Sequence, residues 1–372
     1  MGRIILSVIN DTMTDVRVKK IARFIQTQGF EVLLIGISSD QIMETAGEIK
    51  TKQLKRIFKK GPLFYLEYNI RLFFVLLFLR KVRAFWANDL DTLTANASAA
   101  FIKQKPLIYD SHELFTELPE LHSRPGVQKI WQLAEKLFIR RVKYMLTVCD
   151  SIAEYYKNKY KTVSPVVVRN VPEKRKTPHA DYRQKLHLPI DKKIVIYQGV
   201  INIGRGIEEL IEAAQYTSGI YFVIAGAGDI SGLIKDRINT LGLSEKFKLT
   251  GRLPYEKLLE YTISADLGVS LEKNMGLNYY YALPNKMFDY IQASVPILVS
   301  RLPEMEKIVN QYGVGDFIES HEPKHLAEKI EEMLQKPSGF YSEQLKRAAR
   351  ELTWEIESEK LIPILKQLVS PV

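Results

Sequence analysis

Short runs rich in β-branched and aromatic residues alternate with helical stretches along this chain, and the alternation happens twice. In the first half, residues 4–10, 31–37, 82–88, 107–110 and 144–148 read as strands. In the second half the corresponding runs are 193–198, 221–225, 247–250, 266–271 and 296–300, with helical segments such as 207–216 between them. Strand, helix, strand order requires crossovers, and these are right-handed, so each series predicts a parallel, doubly wound α/β sheet. A length of 372 residues exceeds what one core usually serves and agrees with two domains. Between the two series, Pro172-Glu173-Lys174-Arg175-Lys176-Thr177-Pro178 is charged and bounded by proline, which is linker chemistry. The expected division is a domain at 1–172, a linker at 173–190, a second domain at 191–351 and a closing segment at 352–372.

An apolar share of 46% with 26% charged residues excludes wholesale disorder and a polytopic membrane protein. The single cysteine, Cys149, excludes an intrachain disulfide and any multi-thiolate metal site, and reads as a small buried residue after a strand. The apolar run at residues 4–9 is too short for a signal-peptide core, and the run at 72–79 is far below the roughly 20 residues that span a bilayer. A cytoplasmic location is the expectation. The net charge of +10 owes much to residues 50–83, where Lys52, Lys55, Arg56, Lys59 and Lys60 precede the apolar run. Two readings stand side by side: contact with an anionic leaflet at the inner face of the cytoplasmic membrane, or a core helix with a solvated basic neighbour. Nucleic acid is not an expected partner, because no reader motif with base-stacking aromatics is present.

In open α/β sheets ligands bind beyond the carboxyl ends of the strands, so those ends carry the functional information. Ile224-Ala225-Gly226-Ala227-Gly228 is similar to part of a dinucleotide fingerprint, but its third glycine position is Ser231. The first strand, where a nicotinamide enzyme carries its glycine turn, runs instead into Asn10-Asp11-Thr12-Met13-Thr14-Asp15. Gly226 and Gly228 read more simply as a tight strand-to-helix turn beside an accessible helix N-terminus.

The most informative stretch is Tyr281-Ala282-Leu283-Pro284-Asn285-Lys286-Met287-Phe288-Asp289. It resembles the donor-site segment of the large retaining family of GT-B glycosyltransferases, the family four, group 1-like type that includes many bacterial polysaccharide enzymes, and within it the Leu-Pro-Asn-Lys subset. The resemblance implies two Rossmann-like domains whose parallel sheets face a central cleft. It implies that Asp289, where the family usually has Glu, holds the ribose hydroxyls, since a carboxylate accepts two hydrogen bonds from a vicinal diol. Eight residues earlier Tyr281 stands where the family often has a sugar-facing Glu, and Glu272, at the end of a strand, is a candidate carboxylate for the cleft. Lys286 is implied on the donor phosphate, with Asn285 shaping the helix entry.

Gly199-Val200-Ile201-Asn202-Ile203-Gly204-Arg205 resembles the family's glycine turn, with Arg205 at the second basic position and Val200 at the first. A guanidinium meets two phosphate oxygens at once and stabilises the charge on a departing nucleoside diphosphate. Thr250-Gly251-Arg252-Leu253 resembles the stretch whose backbone touches the nucleobase, so Arg252 and Leu253 are expected beside the base.

Asp11, Thr14, Asp15 and Arg17 after the first strand, and Asn88 and Asp89 after a later one, resemble the family's acceptor-side loops; Asn88 stands where His is common. In Tyr109-Asp110-Ser111-His112-Glu113 the family pattern places a cleft-facing histidine at His112, with Glu113 beside it. An imidazole there hydrogen-bonds a sugar hydroxyl or helps move an acceptor proton. Asp89-Leu90-Asp91 has the spacing of a metal motif but lies in the acceptor half, so no metal ligand is assigned.

The resemblance implies a retaining, metal-independent transfer of sugar from a nucleotide-sugar to a saccharide or lipid-linked saccharide acceptor in surface polysaccharide assembly. His112, Arg205 and Lys286 are its implied catalytic residues. A UDP- or GDP-sugar enters as substrate, and no cofactor is expected. A nucleotide-sugar epimerase on the same fold and a catalytically silent nucleotide-binding scaffold are the alternatives.

Overall fold

A computed structural model describes residues 2–12, 15–37, 49–161, 164–174 and 182–369. Thr14 and residues 175–181 of the expected linker lie outside them. The chain divides into two compact units, residues 1–170 with 357–372, and residues 171–356.

The first unit holds a seven-stranded sheet of β1 (Arg3–Asp11), β2 (Glu31–Ile37), β3 (Lys50–Leu54), β4 (Val82–Asn88), β5 (Leu107–Ser111), β6 (Tyr144–Thr147) and β7 (Val166–Val167). Its order is β3-β2-β1-β4-β5-β6-β7, with every pair parallel. A parallel sheet covered on both faces needs continuous apolar strands, and Ile4, Ile5 and Leu6 of β1 are all fully buried. β3 escapes a reading by pattern: Lys50-Thr51-Lys52-Gln53-Leu54 is an edge strand in which only Leu54 is buried. After Glu357 the chain rejoins this unit. Arg169 donates its backbone N–H to the buried Glu357 carboxylate at 2.9 Å, and Tyr144 donates to Gln367 on the helix Ile362–Val369 at 2.6 Å.

The second unit holds β8 (Lys193–Gln198), β9 (Ile220–Ala225), β10 (Phe247–Gly251), β11 (Leu267–Ser270), β12 (Ile297–Ser300) and β13 (Gly315–Ile318) in the order β10-β9-β8-β11-β12-β13, again all parallel. Successive residues of β8 feed opposite faces. Val195 and Tyr197 join one apolar cluster, and Ile194 and Ile196 the other. Leu186 and Leu188, within the expected linker, are buried in the second cluster, so this part of the segment is core. β13 was not expected from the sequence because it is an edge strand with only Ile318 buried.

Both sheets change winding direction at the pair formed by the first and fourth strands of each series, β1/β4 and β8/β11. Such a reversal leaves a crevice at the strands' carboxyl ends, where open α/β sheets take their ligands.

Candidate functional site

At the β8/β11 reversal, three charged side chains meet. Lys286, on the helix Asn285–Gln292, donates from Nζ to Glu272 Oε1 at 2.9 Å, and Arg205 Nη1 lies 3.7 Å from the same oxygen. Ser270 donates to Glu272 Oε2 at 2.7 Å, which occupies the second oxygen. Glu272 is fully buried, and burial alone would raise its pKa. The charge and hydrogen bond of Lys286, the Ser270 hydroxyl and Arg205 reverse this and hold the carboxyl below its ordinary value. Two cations against one carboxylate leave a surplus positive charge. Lys286 also sits 4.0 Å from the centre of the Tyr197 ring, and Arg205 4.8 Å from that of Tyr279. The Nε of Arg205 is buried with no hydrogen-bond partner among the described residues.

Glycine geometry brings backbone up to these cations. Gly199, directly after β8, has φ of +132°, and a Cβ there would lie 3.4 Å from Lys286 Cε. A Cβ on Gly226 would lie 1.8 Å from Gly199 O, and one on Gly228 2.3 Å from Ile201 O. The pair that looked like a fragment of a dinucleotide fingerprint is therefore required so that the 199–202 loop can lie against the end of β9.

Asp289 lies one turn along the helix from Lys286. It accepts from Gln198 Nε2 at 3.0 Å on one oxygen and from Tyr255 OH at 2.9 Å on the other. Gln198 is itself oriented, because its Oε1 accepts from Thr262 at 2.7 Å. Partners on both oxygens hold the Asp289 carboxylate in position.

The first unit gathers a second charged cluster at the ends of β4 and β5. Arg17 is 3% exposed, and it forks onto the fully buried Asp110 at 2.8 and 3.1 Å while donating to Val168 O at 2.8 Å. His112 Nδ1 lies 3.0 Å from Asp89 Oδ2, and the His112 backbone N–H donates to Asp89 Oδ1 at 2.8 Å. His112 Nε2 is 3.3 Å from Asp110 Oδ2, within reach of charge attraction but off line for a hydrogen bond. Burial would lower the His112 pKa, but Asp89 and then Asp110 push it well above the usual value. Burial would raise the pKa of Asp110, but Arg17 and then His112 hold it far below the carboxylate range. The two carboxylates thus favour the protonated imidazole. A protonated imidazole there supplies charge and a hydrogen-bond donor.

Residues 179–352 match the family model for glycosyl transferases group 1. That stretch is similar to the group 1 glycosyltransferases. Solved structures share the fold across nearly the whole chain. Sucrose-phosphate synthase from Thermosynechococcus elongatus is 16% identical with a TM-score of 0.81, covering 99% of each chain. Anabaena HepE in complex with UDP and glucose is 14% identical, with a TM-score of 0.77, over 99% of this chain and 100% of that one. WaaG, a glycosyltransferase involved in lipopolysaccharide biosynthesis, is 14% identical at a TM-score of 0.68, over 97% and 99%. No curated protein matches the sequence.

Within the stretch that matches this family model, the structure brings Gly199, Arg205, Glu272 and Lys286 to one point, with Asp289 on the same helix as Lys286. Leu283 and Leu253 pack on the core, and Pro284 and Asn285 open the helix. Tyr281 packs beside Tyr280 with ring centres 5.3 Å apart. Arg252 is exposed and makes no ion pair among the described residues. Gln198, Tyr255 and Tyr197 were not singled out from the sequence; only the register of β8 and the approach of the helix Tyr255–Ile263 place them here.

In the first unit, Asp15 caps the helix Val16–Thr27 by accepting from Val18 N at 3.1 Å, and Asp11 closes β1. Asn88 is fully buried and donates to Ser7 O at 2.9 Å, so it braces β4 against β1. Glu113 is half-buried beside His112. Asp91 is buried, and burial followed by the charge of Asp89 drives its pKa well above the ordinary value.

Proposed function

We propose that this enzyme moves a sugar from a nucleotide-sugar, a UDP-sugar first among them, to a saccharide or lipid-linked saccharide acceptor. The transfer retains the anomeric configuration, uses no divalent metal, and serves surface polysaccharide assembly at the inner face of the cytoplasmic membrane. The observation that carries the reading is the meeting of Lys286 and Arg205 on Glu272 beside the bare backbone of Gly199. A diphosphate approaching Gly199 meets two cations already held in place, and these stabilise the charge that grows as the diphosphate leaves. Asp289, oriented by Gln198 and Tyr255, accepts from the ribose hydroxyls.

Front-face attack, with a leaving phosphate oxygen taking the acceptor proton, agrees with this arrangement. Double displacement needs a positioned carboxylate nucleophile, and both oxygens of Glu272 are engaged by Lys286 and Ser270. The metal-free reading is supported by the two fixed cations, which supply positive charge where a diphosphate would leave. UDP is favoured because HepE, which shares the fold, is described in complex with UDP and with UDP-glucose.

Thermal unfolding with UDP, GDP, ADP and NAD, chelator present, tests the donor site. UDP at a hundred times its dissociation constant is expected to stabilise the protein by about 2.7 kcal/mol, and Asp289→Ala to remove most of that gain. A response to NAD alone, or to none of the four, overturns the reading. Conversion of a UDP-sugar without acceptor would identify an epimerase, and binding without release of UDP a silent scaffold.

A further inference from the structure

Two helices of the first unit are apolar on the side that faces away from the core. The helix Pro62–Phe78 starts with proline at its first turn and contains no other helix breaker. It buries Tyr68, Leu72 and Leu76, four residues apart. Its opposite side carries Leu63, Leu66, Ile70, Phe74 and Phe78, which are 48% to 77% exposed. A helix apolar all round is expected in a core or in lipid, not with one side in water. The helix Pro125–Phe138 repeats the pattern with Ile130, Leu133 and Leu137, all at least 60% exposed. The Tyr65 and Trp131 rings, 5.2 Å apart, join the two helices. Eight such side chains expose on the order of several hundred Å², the size at which a patch marks an interaction surface.

Charge identifies the partner. Residues 50–83 and 124–143 contain sixteen Lys and Arg against two Glu, whereas the whole chain carries +10, so acids outnumber bases everywhere else taken together. Both acids are spoken for. Glu67 binds Arg71 at 2.7 Å and accepts from the backbone N–H groups of Ile57 and Phe58, pinning the basic segment to the helix. Glu135 accepts from Tyr156, Lys159 and Tyr160 in the interior. Beside the stripe on the second helix lies a surface cavity of about 560 Å³ whose lining includes Lys136, Arg140, Lys159 and Lys161.

We infer that these two helices form a docking face for an anionic lipid bilayer, with a headgroup phosphate seated among Lys136, Arg140, Lys159 and Lys161. No helix among the described residues is long and apolar enough to cross a membrane, so the apolar stripes lie in the interface while the cations meet phosphates.

Flotation of the full chain with vesicles tests this. The chain is expected to float with equimolar phosphatidylglycerol and phosphatidylcholine, to stay behind with phosphatidylcholine alone, and to be released by high salt. Lys59→Glu with Lys60→Glu, and Lys136→Glu with Arg140→Glu, are each expected to lower partitioning by about tenfold or more. Leu66→Ser with Phe74→Ser should lose binding at unchanged charge. Unchanged unfolding midpoints and UDP response in these variants separate failure of this inference from failure of the donor-site reading. Equal flotation on neutral lipid, no flotation, or indifference to the substitutions overturns it. A dimer dispersed by the Leu66 and Phe74 changes would assign the face to a second copy. Protection by inorganic phosphate that the Lys136 and Arg140 changes abolish, with flotation intact, would overturn the headgroup site.

Discussion

Lys286→Met is expected to lower turnover by roughly a hundredfold to a thousandfold, the loss seen when one donor to a developing negative charge is removed. The same change is expected to destabilise the protein by about 3 kcal/mol, because it strips a fully buried carboxylate of its nearest counter-charge. Glu272 would keep only the Ser270 hydroxyl and Arg205 at 3.7 Å. The two losses are separable. Adding Glu272→Gln to Lys286→Met removes the stranded charge, so most of the stability is expected to return while turnover stays low. Unfolding by denaturant and release of UDP from its sugar, measured on the wild type, both single variants and the double variant, complete the cycle. Recovery of turnover together with stability would make Lys286 a structural counter-ion and remove it from the chemistry.

This cluster also shows what a sequence carries and what it withholds. Strand ends are legible because parallel strands read as unbroken apolar runs, and the first polar residue or glycine after each run marks where a ligand can sit. Gly199, Glu272 and the helix bearing Lys286 and Asp289 were reachable in this way. That Glu272 would bind Lys286 was not, since fourteen residues and an intervening loop separate them, and only the packed helix Asn285–Gln292 closes the distance. Gln198 and Tyr255 were hidden for a similar reason. A polar last residue of a strand and an aromatic opening a helix are ordinary in sequence, and their convergence on Asp289 is a tertiary fact. The edge strands β3 and β13 were invisible because each has a single buried residue and so no apolar pattern to read. In the basic segment the sequence left lipid contact and core packing as rivals. The helix Pro62–Phe78 buries one face in the unit and leaves apolar residues exposed on the other, which residue types without the register of burial do not reveal.

In the first unit, Asp110→Asn is expected to cost about 3 kcal/mol of stability at neutral pH, since it leaves Arg17 buried and facing a neutral amide. The dependence on pH distinguishes this from a packing defect. Asp110 has a folded pKa below the roughly 3.9 of an unfolded aspartate, so its contribution is complete above that value and is lost as pH falls through the folded value. The gap between wild type and Asp110→Asn should therefore be flat near neutrality and close in acid. His112 has the opposite sign. Its folded pKa stands well above the roughly 6.5 of an unfolded histidine, so its contribution is complete below that value and disappears as pH rises through the folded one. The gap between wild type and His112→Asn should be widest in mild acid and narrow toward alkaline pH. Chemical denaturation of the three proteins across that range reads both limbs. A gap for His112→Asn that widens with rising pH would mean a neutral imidazole between Asp89 and Asp110, and would favour His112 as the base for the acceptor proton.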